Sequence, residues 1–230
     1  MILDSFENKE KILTSFLKIA PFEGWSNEAL LHAFKECDIE EKFIPIIFEN
    51  SLISLAEFYI DFYNQKTALE IAKIENFHGK KIREKITLWL YLRFEVEKEN
   101  KIAIQRLINF YITKNSGFSG KIEGLKACFK IADFIWKDIN DQSTDFNFYT
   151  KRLTLAKIIF RSLLVFLKDD NDELLKTKNF IDLQIQKVMK FESFKFKTKA
   201  AFKEVFYNEK NELKTPKEII KDLPFFRLFT

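Results

Sequence analysis

Glycine and proline are scarce in this chain of 230 residues, which contains five Gly and four Pro. No proline lies between residues 46 and 215, and no glycine follows Gly124. Tight turns depend on these residue types, so their scarcity argues against an all-β sandwich and against an α/β enzyme with many short loops. Hydrophobic residues make up 47% of the chain, enough for one domain with a sizeable core. The composition predicts an all-α fold.

Cysteine and histidine are equally scarce, with two of each: Cys37, Cys128, His32 and His78. Two cysteines exclude a disulfide framework and a zinc site built on cysteine, and they favour a reducing compartment. Glu75 and His78 form one Glu-x-x-His pair, whereas a four-helix di-iron site needs two such pairs and further carboxylates. Since no run of about 18 apolar residues occurs, we expect no membrane-spanning helix.

Sequence motifs of catalysis are also missing. The acidic run Asp169–Glu173 resembles a calcium loop, but its candidate ligands are consecutive rather than alternating and the required Gly is absent, so an acidic helix start is the better interpretation. The sequence has no Gly-rich phosphate loop, no nucleophile elbow and no convincing Ser/His/Asp or Cys/His set. We therefore expect neither a catalytic site nor a cofactor.

The periodicity of apolar residues predicts a series of helices. We expect Pro21 to end the first helix and Ser26 to cap the second, with Glu28 in its first turn. The first three predicted helices are short and resemble a helix-turn-helix unit. The predicted helices are 6–20, 27–36, 40–48, 49–63, 66–75, 79–97, 101–114, 122–139, 145–168 and 172–192.

The charge of the helix-turn-helix unit argues against DNA binding. Residues 1–50 hold five Lys and ten Asp or Glu, whereas phosphate contacts require basic side chains. The helix that would read bases begins with Glu40 and Glu41 and continues with apolar residues, which do not recognise base edges. We interpret the unit as degenerate.

The predicted helix 145–168 is apolar on nearly all sides. Between Leu153 and Leu167 only Thr154, Lys157, Arg161 and Ser162 are polar. Such a helix is buried in a core or lines an apolar cavity, and the sequence alone favours the core. If a cavity exists, periodicity suggests that it is lined by Leu92, Leu107, Ile131, Leu155, Ile158 and Ile159.

The C-terminal part of the chain is basic and amphipathic. Residues 187–230 carry eleven Lys or Arg against six Asp or Glu. This pattern is typical of a helix lying on an anionic membrane, although a helix that docks on its own core or on a second subunit looks the same. We expect one domain at 1–192 (a helix-turn-helix unit at 1–48 and further helices at 49–192) followed by a basic segment at 193–230. The candidate membrane residues are Phe194, Lys195, Lys199, Phe202, Lys203 and Phe206.

Several stretches between about residues 8 and 192 resemble the COQ9 family, the lipid-binding accessory proteins of ubiquinone (coenzyme Q) biosynthesis. The Ser-Thr-Asp-Phe sequence at 143–146 is the most specific. The chain departs from the family pattern at Phe148, where an indole is often found, and at Lys151, where Arg is common. The resemblance is carried by Ala20–Leu30, Asp133, Trp136, Asp141–Arg152, Asn179–Asp182 and Val188–Met189.

The resemblance implies a homodimeric bundle of about nine to ten helices, similar to the TetR regulators, that does not regulate transcription. It implies an isoprenoid lipid or quinone intermediate in an apolar cavity, a C-terminal helix at the membrane, and support of the di-iron hydroxylase that oxidises demethoxyubiquinone. Because Met1–Glu10 does not resemble a transit peptide, we expect a bacterial cytoplasmic protein at the inner face of the membrane. The residues expected to bind the hydroxylase are Asp133, Trp136, Asp145, Phe148, Tyr149 and Arg152.

Two other functions remain open from the sequence. One is a TetR-type transcriptional regulator with an apolar ligand, which would bind specific DNA with a steep dependence on salt. The other is a small lipid-modifying enzyme, which would turn over a quinone precursor without a partner.

Overall fold

The structure is a computed structural model that describes residues 5–49, 52–113 and 118–194, and only the backbone of residues 118–122, 145–146 and 189–194. The regular structure in these residues is helical, as the composition predicts. A 3-10 turn, Glu41–Phe43, precedes α3 and another, Lys98–Asn100, precedes α6. The helices are α1 (Phe6–Glu23), α2 (Asn27–Glu36), α3 (Ile44–Ile47), α4 (Leu52–Ala72), α5 (Ile82–Glu97), α6 (Lys101–Thr113), α7 (Phe118–Asp138), α8 (Asp145–Phe166) and α9 (Leu175–Phe194).

Serine side chains begin the first two helices. Ser5 Oγ accepts a hydrogen bond from Asn8 N at 3.2 Å, and Ser26 Oγ accepts one from Ala29 N at 3.1 Å. Each bond satisfies a backbone N–H that the first helical turn leaves unpaired. The predicted cap at Ser26 is confirmed.

The prediction that Pro21 ends the first helix is wrong. Helix α1 continues to Glu23 and contains Pro21 in its last turn. A proline there removes one hydrogen bond of the helix, which a terminal turn tolerates better than an interior one. The helix ends at Gly24, which has φ +79° and whose N–H donates to Ala20 O at 2.9 Å. Glycine adopts this backbone conformation without the steric cost of a side chain.

Two further predictions of helix boundaries are corrected. The segments 49–63 and 66–75 form one helix, α4, because 64–65 contains only Asn64 and Gln65, neither of which breaks a helix. The last described helix begins at Leu175 rather than at 172, because 169–174 forms a turn whose polar side chains bind the helix start.

Helices α4, α5, α7, α8 and α9 pack against one another to form the body of the molecule, and α1 joins them through α4 and α6. The short helices α2 and α3 lie at the N-terminal side, next to α1 and the turn before α3. This order of short helices followed by a larger bundle agrees with the TetR-like arrangement that the family resemblance implies. The fully buried side chains include Phe16, Phe34, Leu55, Trp89, Leu90 and Phe166.

No single helix in the described part of the chain is long and apolar enough to cross a membrane. Two neighbouring segments reach the length and apolar composition of a membrane span only when they are counted together, and they meet at a bend of 59°. These segments are Glu41–Ile47 and Leu52–Ala72. The side chains of the candidate membrane residues Phe194, Lys195, Lys199, Phe202, Lys203 and Phe206 lie outside the described residues.

Candidate functional site

An apolar cavity of about 250 Å³ lies between α4, α5, α6, α7 and α8. An engineered apolar cavity of ~150 Å³ is large enough to hold a benzene ring, so this one can hold a ring or a segment of an apolar chain. Its lining is mainly aliphatic and aromatic and includes Ile104, Leu107, Ile108, Cys128, Ile131, Ile159 and Leu163. The arrangement suits a hydrophobic guest.

One wall of the cavity is charged. Arg93 and Glu97 are one turn apart on α5, their Nη2 and Oε1 atoms are 2.8 Å apart, and their side chains are 4% and 6% exposed. Tyr59, on α4, donates its hydroxyl to Glu97 Oε1 at 2.6 Å. Asn64, also on α4, accepts a hydrogen bond from Arg93 Nη1 at 2.9 Å. Buried charges need such partners, so the pair ties α4 to α5.

Burial and the carboxylate of Glu97 keep two tyrosines of α4 protonated: Tyr59 in the cavity lining and Tyr63 one turn further on. Burial, together with the nearby carboxylate of Glu97, raises the pKa of Tyr63 to about 12. Burial and the same carboxylate hold the pKa of Tyr59 well above its usual value of 10. Both phenols therefore stay protonated over the physiological pH range. The Tyr59 hydroxyl donates to Glu97, and the Tyr63 hydroxyl accepts a hydrogen bond from Asn100 Nδ2 at 2.6 Å. Cys128 of α7 also lines the cavity, and burial raises the pKa of its thiol to about 12.

The structure brings together some of the predicted lining residues but not all. Leu107, Ile131 and Ile159 line the apolar cavity. Leu155 and Ile158 line a second cavity of about 490 Å³ between the start of α5 and helices α7, α8 and α9. Leu92 is half-buried against the core and lines neither of these two cavities. Leu155 and Ile159 are one turn apart on α8 and nevertheless line different cavities, which a single apolar stripe does not indicate.

A network of ion pairs joins α7 to α8. Arg152 is buried, 2% exposed, and its Nε lies 2.6 Å from Asp133 Oδ1. Its Nη1 lies 3.5 Å from Asp141 Oδ2, and its guanidinium carbon lies 3.4 Å from the centre of the Phe148 ring. Lys151 binds the other oxygen of Asp141 at 2.7 Å. Arg152 is therefore surrounded by two carboxylates and an aromatic ring, an environment suited to a planar cation.

The turn after α7 places Asp141 in this network. Asn140 has φ +61°, and Asp141 N donates to Trp136 O at 2.9 Å, which is the bond pattern of a Schellman cap. Asn tolerates this left-handed conformation better than most residues. The turn folds Asp141 back over the end of α7, so its carboxylate faces Lys151 and Arg152 of α8.

The predicted partner-binding residues lie along this α7–α8 network but differ in exposure. Trp136 is buried beneath Lys151, whose Nζ lies 5.0 Å from the indole. Phe148 and Tyr149 are half-buried, with ring centres 5.1 Å apart. Arg152 is almost completely buried, because its side chain binds the two carboxylates inside the protein. The side chain of Asp145 lies outside the described residues.

Sequence reasoning missed Arg93, Glu97 and Asp141. A charged pair spaced i, i+4 on a helix usually lies in solvent, so periodicity gives no reason to place Arg93 and Glu97 inside. A signal was present in α4, where Tyr59, Tyr63 and Asn64 add polar groups to an otherwise apolar helix. Asp141 belongs to a turn, and only the backbone conformation of Asn140 directs it to Arg152.

The N-terminal unit keeps its acidic surface in the structure. The segment that would contact DNA consists of the 3-10 turn Glu41–Phe43 and the four residues of α3. Glu40 and Glu41 are exposed, and Lys42 pairs with Glu40 at 2.7 Å. Among the residues that the structure describes, no group of three or more His, Cys, Asp or Glu is placed to hold a metal ion.

Residues 122–192 match the family model named COQ9. The chain is 28% identical over 198 residues to the probable ubiquinone biosynthesis protein coq9, mitochondrial, of Dictyostelium discoideum, covering 82% of this chain and 62% of that protein. It is 26% identical to ubiquinone biosynthesis protein COQ9, mitochondrial, of Xenopus tropicalis, covering 79% and 57%. The corresponding Homo sapiens protein is 23% identical, with 81% and 60% covered. The chain thus spans about three fifths of the length of these relatives.

These names correct the expected location. A bacterial cytoplasmic protein was expected, but the matched relatives are mitochondrial proteins of eukaryotes, so that expectation is wrong. It rested on the composition of the first ten residues, which carries no information about where the folded domain acts. The COQ9 family match covers α8 and the most specific part of the predicted resemblance. Together, the family match and the relatives confirm the predicted resemblance of this chain to the COQ9 family.

Proposed function

We propose that this protein acts in ubiquinone biosynthesis as an accessory protein that is not itself a catalyst. In this proposal it binds an isoprenoid lipid or quinone intermediate and presents it to the hydroxylase that acts on demethoxyubiquinone. The names of the matched relatives support the pathway. The observation that carries the lipid-binding role is the apolar cavity between α4 and α8.

The free energy of burial supports a hydrophobic ligand in this cavity. Removing apolar surface from water contributes ~25 cal/mol per Å², so a few hundred Å² of lipid surface contributes several kcal/mol. The Arg93–Glu97 ion pair and its Tyr59 and Asn64 partners form a small polar region in a largely apolar lining. Binding sites for apolar molecules commonly combine these two features, the first for affinity and the second for orientation.

The proposed contact with the hydroxylase is the half-buried pair Phe148 and Tyr149 at the start of α8. Tyr, like Trp and Arg, is enriched among the few residues at the centre of a protein interface that carry most of its binding energy. Arg152 and Lys151 hold this part of α8 against α7 through Asp133 and Asp141. The network therefore fixes the backbone from which the two aromatic rings project. The basic segment 193–230, judged from its composition, is proposed to contact an anionic membrane.

Native mass spectrometry of the purified protein, followed by lipid extraction, tests the central proposal. We expect a bound isoprenoid lipid or quinone. Leu163→Trp places a larger side chain in the cavity and should abolish this binding. Leu164→Trp, at the next residue and 42% exposed, is the matched control and should keep it.

Each of these two expectations, lipid binding by wild-type protein and its loss in Leu163→Trp, can be contradicted. If wild-type protein neither carries nor takes up an isoprenoid, the lipid-binding role is wrong. If Leu163→Trp and Leu164→Trp bind lipid equally well while both remain folded, the ligand does not occupy this cavity.

A further inference from the structure

The second cavity, of about 490 Å³ between the start of α5 and helices α7, α8 and α9, is separate from the apolar cavity. None of the described residues lines both. An apolar cavity of ~150 Å³ already holds a benzene ring, so this one has room for an alkyl chain. Most of its apolar lining is buried, with Val188 half-buried beside Ile86, Trp136, Leu155, Ile158 and Ile185. This inner surface suits the hydrocarbon part of a ligand.

The same cavity is basic on two sides. Lys81 and Arg83 line it from the start of α5 and are exposed, and Lys151 lines it from α8 and is half-buried. No Asp or Glu is among the described residues that line it. Two carboxylates lie nearby, since Asp141 holds Lys151 at 2.7 Å and Glu84 Oε1 lies 3.9 Å from Arg83 Nε. The Glu84 contact is long and exposed, and such pairs are weak. Lys81 and Arg83 therefore give the exposed edge of the cavity a positive charge.

An apolar interior with a basic edge is complementary to one kind of ligand. Burial of an alkyl chain removes apolar surface from water. Carboxylate and phosphate groups form strong, charge-assisted hydrogen bonds with Lys and Arg. A neutral lipid of the same length fills only the apolar part, and a cationic one is repelled. Lining and charge together favour an anionic amphiphile.

We propose that the second cavity binds a single-chain amphiphile whose head group is a carboxylate or a phosphate. The chain lies among the apolar residues of α7, α8 and α9, and the head group binds Lys81 and Arg83 at the start of α5. This site is additional to the proposed isoprenoid site. It does not depend on a ligand in the apolar cavity.

Equilibrium dialysis of the delipidated full-length protein tests the choice of head group. The radiolabelled probes are dodecanoate, dodecyl phosphate and dodecan-1-ol, which share one chain length and are used below their micelle concentrations. Exposed ion pairs are weak one at a time, but the three cations together should make both anions bind roughly tenfold more tightly than the alcohol. The preference should shrink as salt is added. The anion that binds more tightly identifies the head group.

Variants at the exposed edge locate the head group. Lys81→Gln/Arg83→Gln should lose most of the preference and bind dodecan-1-ol as wild type does. Lys80→Gln/Lys85→Gln is the matched control, because it removes two positive charges that flank this pair but do not line the cavity. It should keep the preference.

A larger side chain locates the alkyl chain. Thr154 is half-buried and lines the second cavity, so Thr154→Trp should remove the dodecanoate site. Leu153→Trp is its control, because Leu153 is also half-buried and lines neither cavity. Leu163→Trp, which places a larger side chain in the apolar cavity, should keep the dodecanoate site. Thermal melts show which variants remain folded.

Several results would overturn this inference. Failure of the full-length protein to bind either anion would do so, and is expected if residues 195–230 or a second copy of the chain fill the cavity. Equal binding of the anions and the alcohol would exclude a role for the basic edge. So would a preference that survives in Lys81→Gln/Arg83→Gln, or that Lys80→Gln/Lys85→Gln loses to the same extent.

The site of the chain has its own contrary result. Dodecanoate binding that survives in folded Thr154→Trp would place the ligand outside the second cavity. Should Thr154→Trp not fold, the comparison of head groups in the two pairs of exposed-edge and control variants decides. None of these results bears on the lipid-binding role of the apolar cavity, which isoprenoid binding tests separately.

Discussion

Arg152 Nε lies 2.6 Å from Asp133 Oδ1, and this contact joins α7 to α8 at a point where the arginine is almost completely buried. Removing one partner from a buried ion pair is destabilising because the other charge stays behind without compensation. We expect Arg152→Met to lower the free energy of unfolding by about 3 kcal/mol. Urea denaturation followed by circular dichroism measures the change.

Lys137→Met is the control for this prediction. Lys137 Nζ contacts the other oxygen of Asp133 at 2.7 Å, but its side chain is 70% exposed. Exposed ion pairs contribute ~1 kcal/mol or less, so this variant should change stability little. Equal effects of the two substitutions would show that the burial of Arg152 is not what matters.

The acid dependence of stability should report on Asp169. Burial alone would raise the pKa of this carboxyl, but hydrogen bonds from the Thr177 backbone N–H at 2.7 Å and hydroxyl at 2.8 Å outweigh it and lower the pKa below 3.8. A carboxylate with a lowered folded-state pKa stabilises the fold above about pH 4, and this contribution is lost as the pH falls through the folded value. Asp169→Asn should therefore melt below wild type at pH 7, and the difference should shrink below pH 4. A difference that stays constant from pH 7 to pH 3 would contradict this assignment.

The surface at the start of α8 should bind the hydroxylase. We expect Tyr149→Ala to weaken binding by about 2 kcal/mol, as at an interface hot spot, with little loss of stability. Phe148→Ala should affect both properties, because Arg152 lies 3.4 Å above the Phe148 ring. Asn147→Ala, at an exposed neighbour, is the control. Pull-down of the hydroxylase together with thermal melts separates the two effects, and undiminished binding by Tyr149→Ala would exclude this surface.

The sequence alone predicts the helical fold, the start of α2 and part of the cavity lining. The all-helical fold follows from the scarcity of Gly and Pro, and the cap at Ser26 follows from its position before an apolar run. Periodicity suggests a common cavity for Leu107, Ile131 and Ile159. The structure places these three residues in the lining of one cavity. Periodicity gives the face of a helix but not the neighbour that covers it. Leu155 and Ile158 belong to the same predicted set but line the second cavity.

The charged groups inside the protein could not be found in this way. A single sequence marks Arg93, Glu97 and Arg152 as surface residues, because charged side chains are rarely buried. Their burial depends on partners contributed by other helices: Asn64 and Tyr59 from α4, and Asp133 from α7. These contacts depend on the tertiary arrangement, which local patterns do not contain.

The two cysteines should differ in reactivity. Burial raises the pKa of Cys128 to about 12, so its thiol stays almost entirely protonated at pH 8 and is a poor nucleophile. Cys37 is half-buried, and burial also raises its pKa. We expect iodoacetamide to modify Cys37 in the native protein and Cys128 only after unfolding. Mass spectrometry counts the added groups, with Cys37→Ser as the control, and rapid modification of Cys128 in that native variant would contradict the prediction.

The basic C-terminal segment should bind anionic vesicles. Each lysine near such a surface contributes about 1 kcal/mol, so binding should weaken as salt is added. A chain ending at Met189 should stay folded and lose vesicle binding. Flotation with phosphatidylserine vesicles compares the two chains, and equal binding would show that another surface contacts the membrane.

The apolar cavity also determines how the ligand-free protein responds to hydrostatic pressure. Internal voids disappear when a chain unfolds, so the volume of the system decreases, and the decrease scales with the void volume. The part of the 250 Å³ cavity that its apolar lining keeps free of water therefore makes the ligand-free protein easier to unfold by compression. A ligand that fills the cavity removes this void. Occupancy should consequently raise the pressure at which the protein unfolds, even where heat or urea detects only a modest gain.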